Sequence, residues 1–327
     1  MISIIVPAYN ASKTLPACLA ALSKQTRKAD EIIVVDDGSI DQTSQIVREF
    51  GAQLLGQPHL GAAAARNLGI THAGGDIILF TDADCEPVPT WVAEMMRPFD
   101  DPQIMGVKGS YRSHQMEKVA RLAQIEFEER YDLLGLHKSI DFVDTHAAGF
   151  RANVLRSSRA FDPAFTQNED VDLSYRLANA GCQMVFNRQA IVYHMHPSTW
   201  SAYFRLKIKR GFWRILAYQR HPDKVASDSY TPQLLKAQIG LIYLFLGFTG
   251  LAWAFHPLLW GGLASLIVFC LSAVPFIRRA ARQDRILMIG ALYFVFVRAS
   301  AFAIGVAGGI FRLIFSRPAA PNTSQAE

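Results

Sequence analysis

The 327-residue chain is 50% hydrophobic and carries a formal net charge of +5, which allows one large domain and an additional apolar segment. Its excess positive charge is confined to the end of the chain. Residues 234–327 hold 8 Lys+Arg against 2 Asp+Glu, whereas residues 1–233 hold 25 against 26. A basic surface over the whole molecule is therefore excluded, and we expect no nucleic-acid partner. The four cysteines have no paired spacing, which argues against a zinc site or a disulfide framework.

Strand-like and helical patterns alternate over the first 111 residues. Apolar runs predict strands at residues 3–7, 31–37, 52–55 and 76–82, and helical patterns occupy residues 15–22, 42–50, 61–73 and 89–99. Continuous apolar strands separated by helices are typical of a parallel sheet that is covered on both faces. The sequence therefore predicts an α/β domain.

Carboxylates follow two of these strands. Asp36 and Asp37 come directly after Val35, and Asp82, Asp84 and Glu86 come after Phe80. Because the carboxyl ends of parallel strands meet at one edge, we expect both clusters at the ligand-binding edge of the sheet. Like charges this close repel each other and raise each other's pKa, so a bound cation is predicted there.

The second half of this domain has a less regular pattern. Residues 115–134 predict a long helix, and residues 168–180 predict a shorter one that ends at Gly181. The stretch "CQMVFNRQAIVYHMHP" predicts two short strands.

Residues 200–233 predict a basic amphipathic segment at the membrane interface. Apolar residues recur here at helical spacing, and the basic residues are displaced from them. The apolar set is Phe204, Ile208, Phe212, Ile215 and Leu216, and the basic set is Lys207, Arg210 and Arg214. A helix that only packs against the soluble domain is the alternative.

Residues 234–315 predict a transmembrane region. The run from residue 237 to 277 contains no Asp, Glu, Lys or Arg. That is twice the roughly 20 residues that one membrane helix needs. His256-Pro257 divides the run, which predicts spans at residues 237–255 and 257–277.

Charge predicts the orientation of these spans. The Arg-rich stretch 278–285 is typical of a cytosolic loop, and an even number of crossings before it places the N-terminal domain on the same side. We therefore expect an integral protein of a bacterial-type inner membrane with a cytosolic catalytic domain. Residues 286–311 form a third apolar stretch, but Arg298 interrupts it, so it can span, re-enter or lie at the interface. Residues 316–327 predict a flexible tail.

Five segments together resemble a known family. "SIIVPAYN", "IIVVDDGSIDQT", "GAAAARNLGI", "FTDADCEP" and "NEDVDLSYRLANAG" are similar, in order and spacing, to the signatures of family 2 glycosyltransferases, over roughly residues 1–200. The resemblance implies a catalytic domain of the GT-A fold, which is Rossmann-like with a mostly parallel sheet, at residues 1–199. An all-α membrane region would follow it.

The resemblance also implies a nucleotide diphosphate-sugar donor and a Mn²⁺ or Mg²⁺ cofactor. A leaving diphosphate needs its negative charge neutralised, and a hard divalent cation bound to one or two carboxylates can do this. The implied metal ligands are Asp82, Asp84 and His194, and the implied nucleotide-binding residues are Pro7, Tyr9, Asp37, Arg66 and Asp82. Each of these residues also has an ordinary alternative. Asp82 or Asp84 can cap a helix, and Asp36 and Asp37 can stabilise a turn, which is the role we prefer for Asp36. Arg66 can be a solvated helical arginine, and His194 can be a lone structural histidine.

The segment "NEDVDLSYRL" carries the implied catalytic residues. By resemblance, Asp170 is the general base that deprotonates the acceptor hydroxyl, and Glu169 orients the base or the acceptor. Helix N-termini favour carboxylates in any case, so capping competes with this interpretation. Asp172 and Arg176 are spaced as a pair on the surface of the helix. The segment "HAAGFRANVL" resembles the acceptor side of the fold, although the following "SSRAFDPAF" departs from the family pattern.

The resulting prediction is a membrane-bound, inverting glycosyltransferase of cell-envelope or polysaccharide biosynthesis. It would transfer a sugar to a lipid-linked or glycan acceptor in contact with membrane lipids. The alternatives are a polyprenyl-phosphate glycosyltransferase and, from another class, a catalytically silent membrane scaffold that only binds nucleotide. The Gln-x-x-Arg-Trp motif of processive synthases is absent from the sequence, which disfavours a polymer-extruding enzyme.

Overall fold

The computed structural model describes residues 1–165, 167–226 and 228–315. The strands in chain order are β1 (Ile2–Ala8), β2 (Glu31–Asp36), β3 (Gln53–Gly56), β4 (Ile77–Phe80), β5 (Glu86–Pro87), β6 (Ile104–Arg112), β7 (Ala148–Arg151) and β8 (Gln183–Tyr193). The helices of the catalytic domain are α1 (Leu15–Ser23), α2 (Thr43–Glu49), α3 (Ala62–His72), α4 (Trp91–Met96), α5 (Lys118–Leu134), α6 (Ala152–Ser157) and α7 (Glu169–Asn179). Four helices follow: α8 (Trp200–Arg220), α9 (Gln233–Leu251), α10 (Leu258–Gln283) and α11 (Arg285–Phe315).

The strands form one sheet in the order β3-β2-β1-β4-β7-β6-β8-β5. The first four strands of this order are parallel, as predicted, and their buried apolar side chains form the centre of the core. The other half of the sheet is mixed, although it keeps the parallel pair of β6 and β8. Strand β7 is antiparallel to both β4 and β6, and β5 is antiparallel to β8. Strand β7 is antiparallel to β6 because the connection between them, through α5, begins and ends at the same edge of the sheet.

The segment that was predicted to form two short strands is the single strand β8. Its pairing with β6 shifts between Lys108 opposite Phe186 and Ser110 opposite Ile191, so residues 187–190 form an irregularity. This bulge interrupts the alternation of side chains that the sequence pattern depends on. Strand β8 still runs parallel to β6 and delivers its C-terminal end to the ligand-binding edge of the sheet.

Helix α8 turns its basic side towards the catalytic domain. Lys207 is buried and lies 2.8 Å from the Glu126 carboxylate of α5, and Arg214 donates to the Tyr175 hydroxyl at 2.9 Å. Arg205 and Lys209 lie on the exposed side. Helix α8 therefore packs against the catalytic domain, which is the alternative that the sequence left open. Its position at the membrane interface stays a prediction.

Helices α9, α10 and α11 are each long and apolar enough to cross a membrane. The Arg-rich turn between α10 and α11 docks on α5 of the catalytic domain, with Arg279 2.5 Å from Asp132 and Asp284 2.8 Å from Arg121. This turn therefore lies on the same side as the catalytic domain. Arg298 is buried against protein and donates to Gln238 at 3.1 Å, which removes the cost of exposing its charge to lipid.

Candidate active site

The sheet brings the predicted site residues to one edge. Asp37 follows β2, Asp82 and Asp84 follow β4, and His194 follows β8. The C-terminal ends of these three strands lie at the same edge of the sheet. Strand β7 runs in the opposite direction, so His146, which precedes it, reaches the same edge from its start. This edge is where open α/β sheets bind ligands.

Arg66 joins two of the predicted carboxylates. Its guanidinium, 4% exposed, donates to Asp82 Oδ1 at 2.8 Å and to Glu169 Oε1 at 2.7 Å. Burial alone would raise the pKa of Asp82, but the charge and hydrogen bond of Arg66, together with the nearby His146 and His194, outweigh burial and bring that pKa to about 2. Asp82 is therefore ionised at neutral pH. The solvated arginine that competed with a site role for Arg66 is excluded, and in this structure Arg66 pairs with carboxylates.

Asp84 and His194 form the better candidate for a cation site. Asp84 Oδ2 lies 3.5 Å from His194 Nε2, and one ligand atom each from Asp84, Cys85 and His194 lies within 4.8 Å of the others. Burial raises the pKa of the Cys85 thiol well above its ordinary value, so this sulfur stays protonated and is a poor ligand for a hard cation. A carboxylate oxygen and an imidazole nitrogen suit Mn²⁺, so the residues present fit the implied metal. Asp82 lies outside this group and is 3.6 Å from His146.

Asp37 organises the predicted nucleotide pocket. Its buried carboxylate accepts hydrogen bonds from the backbone N–H groups of Leu60 and Gly61, each at 2.9 Å, and from the Gln57 amide at 2.5 Å. The Tyr9 ring, half exposed, stacks on His59 of the same loop with 3.9 Å between ring centroids. Pro7 lies beside these residues at the end of β1, opposite Val35 of β2. The arrangement leaves a flat aromatic surface next to a carboxylate.

Asp36 has the ordinary role that the sequence favoured. Its carboxylate accepts a hydrogen bond from the Ser39 backbone N–H at 2.9 Å and another from the Ser44 hydroxyl, so it stabilises the turn after β2. Asp36 therefore supports the loop that carries Asp37 and does not enter the site.

The two carboxylates at the start of α7 have different surroundings. Glu169 is paired with Arg66, whereas Asp170 accepts a hydrogen bond from its neighbour's backbone, at 2.8 Å from the Val171 N–H. Burial and the adjacent charge of Glu169 raise the pKa of Asp170 to about 7. A carboxyl that titrates near neutral pH is suited to accept a proton from a substrate.

Asp172, two residues further along α7, was predicted to form a surface pair with Arg176. The pair exists at 2.9 Å, but Asp172 is buried and also lies 3.2 Å from His221. The prediction of a surface position is wrong because the segment after α8 covers this side of α7. Asp172 anchors that segment and has no contact with the candidate site.

A cavity of about 440 Å³ extends from the carboxylates to the apolar helices. One end is lined by Asp82, Glu169, Asp170 and His146. The other end is lined by α8, α9 and α11, through Leu206, Ile215, Leu235, Ile239, Phe302 and Val306. The cationic side chains of Arg210 and Arg214 belong to the same lining. The shape and chemistry suit a ligand with a polar reacting end and an apolar remainder.

Sequence reasoning did not identify three of the site's polar side chains. Lys108 and Asp144 form a fully buried ion pair at 2.5 Å next to the cavity, and His146 stands between Asp82 and His194. Burial lowers the pKa of His146 and favours its neutral form. Lys108 lies inside an apolar strand pattern, and only the antiparallel β7 places Asp144 beside it. His146 begins the segment "HAAGFRANVL", which resembles the acceptor side of the fold. This resemblance was the one feature of the sequence that could have identified His146 as a site residue.

The sheet, with four parallel strands followed by a mixed half, is of the GT-A class of α/β fold. The Pyrobaculum calidifontis mannosyltransferase PcManGT, solved in complex with GDP-Man and Mn²⁺, matches 95% of this chain with 87% of its own length, at a TM-score of 0.64 and 17% identity. The glucosyl-3-phosphoglycerate synthase of Mycobacterium tuberculosis, solved with phosphoglyceric acid, matches 67% of this chain and 79% of its own, at a TM-score of 0.50 and 20% identity. These likenesses confirm the predicted fold.

Residues 3–159 match the family model for "Glycosyl transferase family 2", which identifies a domain of this family in the first half of the chain. The pre-mycofactocin glycosyltransferase of Mycobacterium tuberculosis is 28% identical over 294 residues, which are 87% of this chain and 58% of the relative. The glycosyltransferase AglE of Haloferax volcanii is 26% identical over 207 residues, 59% of this chain and 66% of the relative. The chain thus spans about 58–66% of the length of these relatives.

Proposed function

We propose that the protein is a membrane-associated, metal-dependent glycosyltransferase that moves a sugar from a nucleotide diphosphate-sugar to a lipid-linked or glycan acceptor. The observation that carries this proposal is the cavity that joins Asp82 and Asp170 to side chains of α9 and α11. A soluble acceptor would have no use for a binding cavity walled by the apolar helices. We place the reaction in cell-envelope or polysaccharide biosynthesis at a bacterial-type inner membrane, with the catalytic domain in the cytosol.

The donor would bind at the edge formed by the parallel strands. Asp37 would accept a hydrogen bond from the nucleotide base, and Tyr9 and Pro7 would pack beside it. Asp84 and His194 would hold Mn²⁺ or Mg²⁺ with Asp82 close by, and the cation supplies positive charge for the diphosphate that leaves. The mannosyltransferase with the same fold was solved with GDP-Man and Mn²⁺, which supports this class of donor and cation.

Arg66 is placed to respond to the donor. Its two carboxylate partners, Asp82 and Glu169, lie on the donor and acceptor sides of the site. A diphosphate that enters between them would offer Arg66 a competing anion. We therefore assign Arg66 to the nucleotide site as a residue that exchanges a carboxylate contact for a phosphate contact.

The transfer itself would use Asp170. Its carboxylate takes the proton from the acceptor hydroxyl while that oxygen bonds to the anomeric carbon of the sugar. The bond from this carbon to the diphosphate breaks in the same displacement, which inverts the anomeric configuration. Glu169, held by Arg66, would keep the start of α7 in place beside the reacting atoms.

A phosphate acceptor is the second candidate, and Arg210 and Arg214 favour it. Both line the cavity that also contains Asp170. Arg210 lies over the Phe127 ring and Arg214 donates to the Tyr175 hydroxyl, and neither forms an ion pair among the residues that the structure describes. Two cations without carboxylate partners suit an anionic group, so a polyprenyl phosphate fits this cavity. Such an acceptor is already ionised and needs less help from Asp170.

The test is sugar transfer by the full chain in lipid nanodiscs with Mn²⁺. UDP-glucose and GDP-mannose, labelled in the sugar, would be offered with a polyprenyl phosphate, a neutral glycolipid or a soluble oligosaccharide. Label in the lipid phase supports a lipid acceptor, and the more effective lipid distinguishes the two candidates. Saturable nucleotide binding with no transfer to any acceptor and no donor hydrolysis would instead support the silent scaffold.

A further inference from the structure

Helix α11 has the composition of a membrane span, but protein covers much more of it than of α10. It contains 31 residues and an apolar window comparable to that of α10, yet 56% of this window is buried by protein, against 22% for α10. What covers α11 decides whether it can cross a bilayer.

Helix α8 runs beside α11 in the same direction. Trp200 contacts Tyr293 and Tyr203 contacts Phe294 near the start of the pair. Further along, Gly305 lies so close to α8 that a Cβ atom there would be 2.2 Å from the Ile208 carbonyl oxygen. The contact continues to Gly309, where a Cβ would be 2.8 Å from Ile215.

Helix α5 and its ion pairs cover the first half of α11. Asp284, immediately before α11, pairs with Arg121 at the start of α5, and Arg298 lies 3.7 Å from Glu129 near its end. Helix α5 of the catalytic domain therefore contacts the first half of α11, and α8 contacts it as far as Gly309. Near the end, the Arg312 guanidinium lies 5.6 Å from the centre of the Phe212 ring of α8.

The helices that cover α11 carry charges that cannot enter hydrocarbon. Arg205 and Lys209 are exposed on α8, and Glu128 and Asp132 are partly or fully exposed on α5. A charged side chain at the bilayer centre is costly unless it faces protein or water. A crossing by α11 would therefore move α5 of the catalytic domain and α8 into the bilayer together with α11.

We infer that α11 does not cross the membrane but lies in the plane of the bilayer, in the leaflet on the catalytic-domain side, with both of its ends on that side. The chain would then cross the membrane twice, through α9 and α10. This inference concerns topology and holds whether or not the proposed reaction is correct.

The partner of the uncovered side of α11 is lipid. That side is exposed and apolar along the whole helix, through Met288, Ile289, Tyr293, Phe296, Ile304, Ile310 and Phe311. It is continuous with the exposed apolar surfaces of α9 and α10, because the Tyr243 hydroxyl of α9 donates to the Ala303 carbonyl at 2.6 Å and Phe276 of α10 stacks on Phe294. The leaflet on the catalytic-domain side therefore contacts all three helices.

This position explains how the cavity reaches the bilayer. Phe302 and Val306 of α11 line the cavity together with Leu235 and Ile239 of α9. With α11 in the plane, these residues lie at the depth of one leaflet, and an apolar chain can enter between α9 and α11 without leaving that leaflet.

Two measurements on the full chain in membranes test the inference. First, a compartment-specific reporter fused after Glu327 should report the same side as one fused after Arg282, whereas a crossing by α11 would place the two on opposite sides. Second, single cysteines at Ile289, Phe296, Ile304 and Ile310, in a background without the native cysteines, would carry a fluorophore in nanodiscs with lipids quenched at shallow or deep acyl positions. The control is Leu271 in the middle of α10, which should be quenched most by the deep quencher.

An in-plane α11 predicts preferential quenching by the shallow quencher at all four positions. A spanning α11 predicts deep quenching at Phe296 and Ile304, since residues 289 and 310 are about 31 Å apart along a helix, which equals the hydrocarbon thickness. That pattern, or reporters on opposite sides, would overturn the inference. Protection of all four positions from both quenchers would also overturn it, because a second copy of the chain and not lipid would then cover this surface.

Discussion

Asp170 and Glu169 are adjacent carboxylates with different partners, and this difference predicts different effects of substitution. Asp170→Asn removes the proton acceptor, so transfer should fall by about 10²–10⁴-fold, the usual contribution of a general base. Nucleotide affinity should stay within a few-fold, because the donor residues are on other strands. Glu169→Gln should reduce transfer less, since it weakens the contact with Arg66 and leaves the base in place.

Turnover and nucleotide binding would be measured on the same purified samples. Asp100→Asn is a matched control, since Asp100 is exposed and distant from the sheet edge that forms the site. Near-normal sugar transfer by Asp170→Asn would contradict the assignment of Asp170 as the base. The base would then be another group, with Glu169 the first candidate, or the acceptor would be a phosphate that needs no base.

The raised pKa of Asp170 also predicts a pH-dependent stability. Its pKa is about 7 in the folded protein and about 4 in an unfolded chain, so the folded state holds the proton more tightly. The free energy of unfolding should therefore fall as pH rises from about 4 to about 7, and Asp170→Asn should remove this loss. Thermal unfolding in detergent should show that the substitution raises Tm at pH 8 and raises it much less at pH 5. An equal shift at both pH values would contradict the proposed environment of Asp170.

At the scale of elements, the contact of α8 with α11 depends on glycine. An alanine Cβ at Gly305 would lie 2.2 Å from a backbone oxygen that cannot move freely, so Gly305→Ala should destabilise the packing by about 1–3 kcal/mol. Gly308→Ala is the matched control, because its Cβ would meet only the Phe212 ring at 3.6 Å, an ordinary contact. Alanine also favours the helix, so Gly308→Ala should be neutral or slightly stabilising. Equal stability of the two variants in thermal unfolding would show that the helices are not in close contact.

The strands and helices of the first half could be predicted because each apolar run is buried locally in a parallel sheet. The second half could not, because its features depend on distant residues. The direction of β7 follows from the path of α5, and the bulge in β8 follows from its register against β6. Neither leaves a periodic signal in the sequence.

The candidate site shows the same division. Asp37, Asp82, Asp84 and His194 could be placed at one edge from the ends of strands. Their partners could not: Arg66 lies 103 residues from Glu169 along the chain, and the Lys108–Asp144 pair joins the middle of β6 to the segment that precedes β7. Burial of α8 against the catalytic domain likewise depends on Glu126, which lies 81 residues away from Lys207.

For the whole molecule, the docking of the Arg-rich turn on α5 predicts the topology. Arg279 and Asp284 bind residues of the catalytic domain, so the turn and the domain share one side of the membrane, and its four arginines favour the cytosol. A reporter fused after Arg282 should therefore be cytosolic, and one inserted at His256 between α9 and α10 should be outside. The reverse pattern would overturn the orientation, and a shared side would show that α10 does not cross.

The most direct test of the central claim, a metal-dependent sugar-donor site, is Mn²⁺-dependent binding of UDP-glucose and GDP-mannose measured by calorimetry on the full chain in detergent. Wild type and Asp100→Ala should bind at least one of the two donors, and only in the presence of Mn²⁺. Asp84→Ala should lower that affinity by at least about tenfold, the loss found even for residues that only support a metal ligand, while its Tm without ligand stays close to that of wild type. Undiminished Mn²⁺-dependent binding by folded Asp84→Ala would contradict the assignment of the site.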